Sequence, residues 1–367
     1  MRCAKCGDAL EAGARFCGEC GTPVAIATIH PVSPPPAIAT DPAQQWVVPF
    51  PVVTKSPATA TPASRRGLFL GIGAAIVAGG AGVVYWRTRS RRLVVDASGS
   101  GDYPTIASAI LGARPQDTIV LRPGTYKESL TVRSDVQIVG EGGRSMVFVE
   151  GAPGANVFEF EGGRATLTGM TIRVVGTVRA DQGTGAILVR SATPVFEDCD
   201  LTSSAGAAVY IRGPGANPVI RNCTMRNSSG SGVVVFYQQG QGTIETCLIS
   251  GNARSGVEIR TGGNPTVRDC EIRDNNSSGV SVIDQGQGTI EKCLISGNAL
   301  SGVQISEGGN PTARNCEIRD GKGAGVYVYE EGHGTFTGNT LTGNARGAWV
   351  IDSTAGKMVR TGNTPNE

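Results

Sequence analysis

Apolar and polar residues alternate over short segments in most of the chain after Leu93. In PTVRDCEIRD, for example, Val267, Cys270 and Ile272 are apolar, whereas the residues between them are charged. A period of two residues is typical of β-strands with one buried face, and Gly- and Asn-rich turns separate these segments. The pattern predicts an all-β structure built from short strands.

The same pattern returns at a fixed spacing. The segment QGQGTIETCLISGN begins at Gln239, and QGQGTIEKCLISGN begins at Gln285. A cysteine recurs at nearly equal intervals within these segments, between them and on either side: Cys199, Cys223, Cys247, Cys270, Cys293 and Cys316. A regular period of this size is typical of solenoids. Two or three strands per period predict a single-stranded, right-handed parallel β-helix of about ten coils, with repeats over 151–367.

Stacked coils bring residues one period apart into vertical columns. The residues two positions before each cysteine alternate in sign: Glu197, Arg221, Glu245, Arg268, Glu291 and Arg314. Neighbours about 4.8 Å apart attract only when their charges differ, so we expect an ion-pair ladder that opposes a slip by one coil. The cysteines are expected to point inward as small apolar side chains. An amide ladder with left-handed backbone is expected at Asn252, Asn275, Asn298 and Asn344.

A short helix is expected before the first coil. Residues Pro104–Ala113 carry an apolar stripe of Ile106, Ala109 and Ile110, which would cover the open end of the solenoid in a cap region at 93–150. Strands are predicted next at Thr118–Arg122, Leu130–Val132 and Val136–Val139.

The N-terminal segment 1–22 has the spacing of a metal site. Cys3, Cys6, Cys17 and Cys20 form two C-x2-C pairs separated by ten residues. Two such pairs complete a tetrahedral thiolate shell around Zn²⁺, and a site with four protein ligands is structural. The segment resembles the zinc ribbons at the N-termini of many prokaryotic membrane proteins. Two disulfides or free thiols are the alternative.

Residues 23–64 are rich in Pro, Ala and Thr and predict a disordered linker.

In the following segment 65–92, Gly67–Trp86 is twenty residues without a charge, which predicts a transmembrane helix; a buried helix is the alternative. Four arginines after this helix against two before it favour a cytoplasmic C-terminus. However, Ser64–Phe69 resembles a twin-arginine export signal. On that resemblance we expect a single-pass protein with a cytoplasmic zinc ribbon and an extracytoplasmic β-helix.

Composition adds two constraints. The 53 glycines suit many tight turns, and the net charge of +2 gives no general attraction to nucleic acid. We therefore expect no nucleic-acid partner.

The start of the β-helix resembles the entrance of pectinesterases in the pectin-lyase-like superfamily. GSGDYPTIASAI, LRPGTYKESL and IVGEGG carry this resemblance, and Gly124, Tyr126 and Glu128 match the G-x-Y-x-E element that borders the family's substrate cleft. The family's catalytic D-F-I-F-G and L-G-R-P-W elements have no counterpart, and QDT at Gln116 precedes G-x-Y-x-E instead of following it. The resemblance implies the fold and not esterase activity.

The later coils, Pro194–Trp349, resemble the carbohydrate-binding and sugar-hydrolase repeats of periplasmic copper-processing accessory proteins. They also resemble the β-helix of F-box-only ubiquitin-ligase subunits. Neither an F-box nor an epimerase-type Y-G-x-D-P-H motif is found. This second resemblance implies a scaffold that hosts many activities.

One outward column of the repeats carries only acidic residues when the GV-x-I-x-x strands are aligned: Asp284, Glu307, Glu330 and Asp352. Like charges at this spacing repel, so the column suggests a bound cation such as Ca²⁺, a sugar or a basic partner. Nearby outward columns carry Tyr210, Phe236, Tyr237, Tyr327, Tyr329 and Trp349. We take Tyr327, Tyr329 and Trp349 with the acidic column as candidate ligand-binding residues. The alternative is that these carboxylates extend into water without a ligand.

The function expected from these features is a membrane-anchored binding or adhesion scaffold for cell-envelope polysaccharide or a protein partner. One alternative is a carbohydrate-active enzyme of hydrolase or lyase type with an unrecognised site. A cytoplasmic protein-interaction platform is the other. No catalytic residue is assigned.

Overall fold

The computed structural model describes residues 90–152, 154–176, 184–237 and 239–365. The four N-terminal cysteines, the Pro-rich linker, the twin-arginine-like segment and the predicted span Gly67–Trp86 lie outside these residues. Within them, no helix is both long enough and apolar enough to cross a membrane.

Three parallel sheets and one short helix make up the described residues. Sheet 1 contains, in spatial order, β1 (Arg92–Val95), β2 (Thr118–Leu121), β5 (Gln137–Gly140), β8 (Thr166–Thr168), β11 (Val195–Glu197), β14 (Val219–Arg221), β17 (Thr243–Glu245), β20 (Thr266–Arg268), β23 (Thr289–Glu291), β26 (Thr312–Arg314), β29 (Gly334–Thr337) and β32 (Met358–Thr361). Sheet 2 contains β3 (Gly124–Lys127), β6 (Val147–Gly151), β9 (Thr171–Val174), β12 (Asp200–Ser203), β15 (Thr224–Arg226), β18 (Leu248–Ser250), β21 (Glu271–Arg273), β24 (Leu294–Ser296), β27 (Glu317–Arg319) and β30 (Thr340–Thr342). Sheet 3 contains β4 (Leu130–Val132), β7 (Phe158–Phe160), β10 (Ile187–Val189), β13 (Val209–Arg212), β16 (Val233–Phe236), β19 (Val257–Ile259), β22 (Val280–Val282), β25 (Val303–Ile305), β28 (Val326–Val328) and β31 (Trp349–Ile351).

The chain passes through sheets 1, 2 and 3 in turn and then starts the next coil. Ten coils in the described residues have all three strands, and β1 and β32 extend the stack to about eleven turns. Val257 pairs with Val280, and Val280 with Val303, so one period of the sequence is one coil. The predicted parallel β-helix is confirmed.

The inward-facing side chains of the three sheets form one apolar core along the axis. The six repeat cysteines form a column in this core, free and at most 3% exposed. A hydrogen bond with the thiol of Cys247, together with burial, raises the pKa of Cys270 to about 12, which keeps this thiol protonated and unreactive. Asn339 and Asn363 continue the column beyond Cys316. Met170 occupies the same position in the coil before Cys199. Because a thioether and amides also fit in this column, the position does not require thiol chemistry.

Each of the five coils from β14 to β28 bends at residues whose backbone is left-handed. Between sheets 1 and 2, φ is 53° at Thr246, 53° at Asp269 and 51° at Lys292. Between sheets 2 and 3, φ is 65° at Gly251, so the left-handed residue precedes Asn252, contrary to the prediction. Three such corners per coil separate the three flat faces in this part of the β-helix.

An amide ladder follows these corners. Asn252 Nδ2 donates to Asn275 Oδ1 at 2.9 Å, and Asn275 Nδ2 donates to Asn298 Oδ1 at 3.0 Å. Gly321 occupies the same place in the next coil and interrupts the ladder, although its N–H donates to Asn344 Oδ1 at 3.1 Å. The predicted ladder is confirmed for three residues, and Asn344 is separated from them by one coil.

The predicted charge ladder is one column in register along sheet 1. The ion pairs join each arginine to the glutamate of the preceding coil: Arg221 to Glu197 at 3.0 Å, Arg314 to Glu291 at 2.8 Å, and Arg268 to Glu245. Exposed pairs of this kind contribute about 0–1 kcal/mol each, so their main effect is on register.

The helix α1 (Ile106–Gly112) packs against β1, β2 and β4, and its Ile106 and Ala109 are fully buried. The Glu128 carboxylate accepts hydrogen bonds from the N–H groups of Ile106 at 2.8 Å and Ala107 at 2.9 Å. Tyr126 Oη bonds the carbonyl oxygens of Arg122 at 2.8 Å and Val95 at 3.1 Å. The G-x-Y-x-E element therefore fixes the N-terminal cap.

Candidate functional site

Two of the predicted site residues, Tyr327 and Tyr329, lie on the outer face of sheet 3. They alternate with the buried residues of β28, and their rings stack with centroids 4.7 Å apart and an interplanar angle of 20°. Gln304 Nε2 donates to Tyr329 Oη at 2.9 Å, which fixes the second ring. Burial raises the pKa of Tyr327, and the carboxylate of Asp352 raises it further. We call these two residues the tyrosine pair.

Asp352 does not belong to the acidic column in which the sequence placed it. Val328 pairs with Ile351, so Asp352 is level with Tyr329 and not with Glu330. Its Oδ1 accepts hydrogen bonds at 2.9 Å from both the N–H and the hydroxyl of Thr354. These bonds lower the pKa of Asp352. Asp352 therefore closes a turn beside the tyrosine pair.

Asp284, Glu307 and Glu330 do form a row on successive coils, as predicted. They are exposed corner residues between sheets 3 and 1, with φ of 48°, 51° and 46°. Asp284 Oδ2 accepts a hydrogen bond from the hydroxyl of Thr261 at 2.7 Å. In the part of the chain that the structure describes, no group of three or more His, Cys, Asp or Glu side chains is arranged to hold a metal ion. The row is an acidic edge beside the tyrosine pair.

The prediction that Trp349 faces outward is wrong. Trp349 pairs with the inward-facing Val326, and its ring packs against Phe336 with centroids 5.4 Å apart at 86°. Its Nε1–H donates to Pro365 O at 2.9 Å, and the Arg360 guanidinium lies 5.2 Å from the ring centroid. Trp349 and Arg360 together cover the C-terminal end of the core.

A second group of rings lies four coils away on the same face. We call Tyr210, Arg212, Phe236, Tyr237 and Arg260 the aromatic–arginine patch. Phe236 is 5.9 Å from Tyr210 and 5.1 Å from Tyr237, centroid to centroid. Tyr237 is 48% exposed, whereas Tyr210 and Phe236 are nearly covered, so Tyr237 offers the ring to solvent.

The two arginines of the patch lie against its rings. The guanidinium carbon of Arg212 is 4.8 Å from the Tyr237 centroid, and that of Arg260 is 5.3 Å from the Phe236 centroid. Arg260 Nε is 3.4 Å from Glu258 Oε1, whereas Arg212 makes no ion pair with a described residue. Arg212 can therefore donate to a ligand at the exposed face of Tyr237.

Sequence reasoning found the aromatic residues of this patch and missed its arginines. The signal was present, because Arg212, Phe236 and Arg260 follow one another at the spacing of the repeat. The period therefore places all three in one column, which the parallel register of β13, β16 and β19 confirms.

Comparison with known families supports the fold. A profile described as the right handed beta helix region matches residues 156–286 and, again, 234–364, which together cover more than half of the chain. The chain belongs to the right-handed beta helix family. A second profile, a zinc-ribbon domain, matches residues 2–24 of this β-helix protein.

The zinc-ribbon match contains Cys3, Cys6, Cys17 and Cys20. The predicted N-terminal zinc ribbon is therefore confirmed, and four thiolates in two C-x2-C pairs are the donors that a tetrahedral zinc site uses. The ligand role of each cysteine stays a prediction, because all four lie outside the described residues.

Several solved structures share the fold of this β-helix. Pectate lyase Pel9A superposes with a TM-score of 0.59 and 14% identity, over 73% of this chain and 79% of the lyase. ORF18 of Geobacillus virus E2 gives 0.54 and 15%, over 82% and 64%. The alginate lyase of Paenibacillus sp. str. FPU-7 gives 0.52 and 16%, over 73% and 99%. At this identity the likeness confirms the pectin-lyase-like fold alone. No curated protein matches the sequence.

Proposed function

We propose that this chain is a membrane-anchored β-helix that binds cell-envelope polysaccharide on the outer face of sheet 3. In this proposal the zinc ribbon at 1–22 is cytoplasmic, the linker at 23–64 leads to an anchor at 65–92, and the β-helix from 93 onward lies on the outer side. The observation that supports the proposal is the presence of two ring groups on one sheet face, the aromatic–arginine patch and the tyrosine pair.

The chemistry of this face suits sugars. Aromatic rings offer apolar faces with a polar edge, and the adjacent arginine and carboxylate groups can donate to and accept from hydroxyl groups. Tyr327 lies four coils beyond Val234 in the same column, roughly 19 Å at about 4.8 Å per coil. This separation favours an extended ligand of several sugar units over a single sugar.

Two fold relatives favour a polysaccharide over a protein ligand. They are named a pectate lyase and an alginate lyase, and both names denote enzymes that act on polysaccharides. The same observation makes a carbohydrate-active enzyme the second candidate function. Release of soluble sugar by the full-length protein would identify that second candidate.

The test is binding of the purified full-length protein to neutral and acidic polysaccharides, with and without Ca²⁺. We expect Tyr237→Ala and Tyr327→Ala each to weaken binding about tenfold, because each removes a stacking ring. Leu111→Ala is the control, since this residue is 88% exposed on the cap helix α1 and belongs to neither ring group. If no polysaccharide binds, or if both tyrosine variants bind as Leu111→Ala does, the proposed function is refuted.

The proposed topology has its own test. A reporter that is active only outside the cytoplasm, fused after Glu367, should be active, and mutation of Arg65 and Arg66 to lysine should abolish its export. If a reporter that is active only inside the cytoplasm is active at the same fusion point, the β-helix is cytoplasmic. That result would support the protein-interaction platform instead.

A further inference from the structure

A cleft on a different face of the β-helix has no part in the proposed function. It lies on the outer face of sheet 2, has a volume of about 680 Å³, and crosses β6, β9, β12 and β15. Its main lining residues are Arg144, Phe148, Arg173, Asp200, Thr202 and Arg226, and we call it the Arg144 cleft. Its volume falls within the range of small-ligand sites in proteins.

Arg144 reaches this cleft from the connection between β5 and β6. The Thr171 hydroxyl donates to Arg144 O at 2.7 Å, which holds the connection against the sheet. The side chain then extends along the stack as far as Thr224, which is 80 residues later in sequence. Arg144 therefore lies over several coils that it does not belong to, and its backbone is fixed in that place.

The guanidinium of Arg144 has only long contacts with the described residues. Its Nη1 is 3.5 Å from Thr224 Oγ1 and 3.7 Å from Asp200 Oδ1, and its Nε is 3.6 Å from Asp198 Oδ1. Normal N–H···O distances are about 2.7–3.2 Å, so none of these is a full hydrogen bond. The donors of Arg144 are available to a ligand.

The other two arginines of the cleft are engaged. Arg173 Nε donates to Glu150 Oε1 at 2.9 Å, and its guanidinium carbon lies 5.1 Å from the Phe148 centroid. Arg226 Nη2 lies 3.3 Å from Asp200 Oδ2, an ion pair that is shorter than those of Arg144 but longer than a normal hydrogen bond. Glu150 and the Oδ2 atom of Asp200 are used in these pairs. Arg144 therefore has only long ion pairs, with Asp198 at 3.6 Å and with Asp200 Oδ1 at 3.7 Å, and the Asp198 side chain is 51% exposed.

We propose that the Arg144 cleft binds an oxyanion group of a ligand, namely a carboxylate, sulfate or phosphate ester. The planar guanidinium presents parallel N–H groups that match two oxygens of such a group. Arg144 is the principal donor, and Arg226 adds a second guanidinium to the lining of the cleft. Asp198 and Asp200 compete with the ligand for Arg144. The site is on sheet 2, so it does not depend on the polysaccharide proposal for sheet 3.

The test measures binding of sulfate, phosphate and an oligogalacturonate to the full-length protein by calorimetry, with a neutral cello-oligosaccharide for comparison. Arg144→Gln should weaken oxyanion binding about tenfold to hundredfold, the range for loss of a charge-assisted contact. Asp198→Asn should strengthen it several-fold, because it removes the competing carboxylate. Arg164→Gln is the control, since Arg164 is exposed on the turn between β7 and β8 and carries the same charge change.

The probe that binds most tightly identifies the chemical source of the oxyanion. The proposal is overturned if Arg144→Gln binds as Arg164→Gln does, if Asp198→Asn weakens binding, or if only the neutral sugar binds. Tyr237→Ala should leave oxyanion binding unchanged, so failure of this site and failure of the sheet 3 site are separate results.

Discussion

The amide ladder allows a quantitative prediction for Asn275→Ala. The Asn275 side chain is 1% exposed, and its Oδ1 accepts from the N–H of Asn252 at 3.2 Å while its Nδ2 donates to Ile249 O at 3.2 Å. Truncation leaves that N–H and that carbonyl buried without these partners. Each unsatisfied group costs about 1–3 kcal/mol, so we expect the free energy of unfolding to fall by about 2–6 kcal/mol.

Asn276→Ala is a matched control, because the neighbouring Asn276 is exposed and a surface truncation changes stability by about 0.5 kcal/mol or less. Urea unfolding of the full-length protein, followed by circular dichroism at a β-sheet wavelength, gives the midpoint and slope for both variants. If Asn275→Ala and Asn276→Ala differ by less than about 0.5 kcal/mol, the buried amides are not stabilising the coils and the reasoning fails.

Four further predictions concern the caps and corners. Glu128→Ala should lower stability by about 1–2 kcal/mol in urea unfolding, because it removes the acceptor for two helix N–H groups. Burial alone would raise the pKa of Asp117, but hydrogen bonds from Arg91 hold it below its usual value. The stability gained from this carboxylate is therefore complete above about pH 4 and lost as the pH falls through the lower native pKa, so Asp117→Asn should flatten the acid side of a plot of thermal midpoint against pH. Thr246→Asn should raise stability by about 0.5–1 kcal/mol, since asparagine tolerates the left-handed backbone better than a β-branched residue; an unchanged urea midpoint would argue against strain there. Trp349→Ala should expose the end of the core and increase self-association in analytical ultracentrifugation, whereas a strictly unchanged sedimentation profile would show that Trp349 is not needed as a cover.

The period of the sequence predicted most of the fold. The regular recurrence of the cysteines fixed the length of one coil, and the helix and first strands were placed close to their observed bounds. The same count would have placed Trp349 correctly, since it lies one full period after the inward-facing Val326. The GV and GA motifs at Gly325 and Gly347 are one position closer together than a full period. Alignment on them therefore moved both residues by one position: it turned the inward-facing Trp349 outward and put Asp352 level with Glu330 instead of Tyr329.

The Arg144 cleft was harder to predict, because its residues meet through side-chain reach and not through the period. The reach of Arg144 over Thr224 joins positions 80 residues apart on different coils, and no repeat spacing encodes it. The structural role of the G-x-Y-x-E element could not be predicted from the motif. It follows from the hydrogen bond that the Glu128 carboxylate accepts at the N-terminus of α1. Left-handed corners at Thr246 and Lys292 were also missed, because these residue types rarely adopt positive φ.

In the charge ladder each arginine pairs with the glutamate of the preceding coil. This alternation limits how the domain can change in length. Loss or gain of a single coil would place two glutamates or two arginines next to each other on sheet 1, whereas loss or gain of two coils restores every neighbour. Duplication within the gene can thus lengthen the molecule in steps of about 9.6 Å without electrostatic conflict on that face. The nearly identical segments at Gln239 and Gln285 are the trace of one such step. The length of the domain can therefore change during evolution, in steps of two coils.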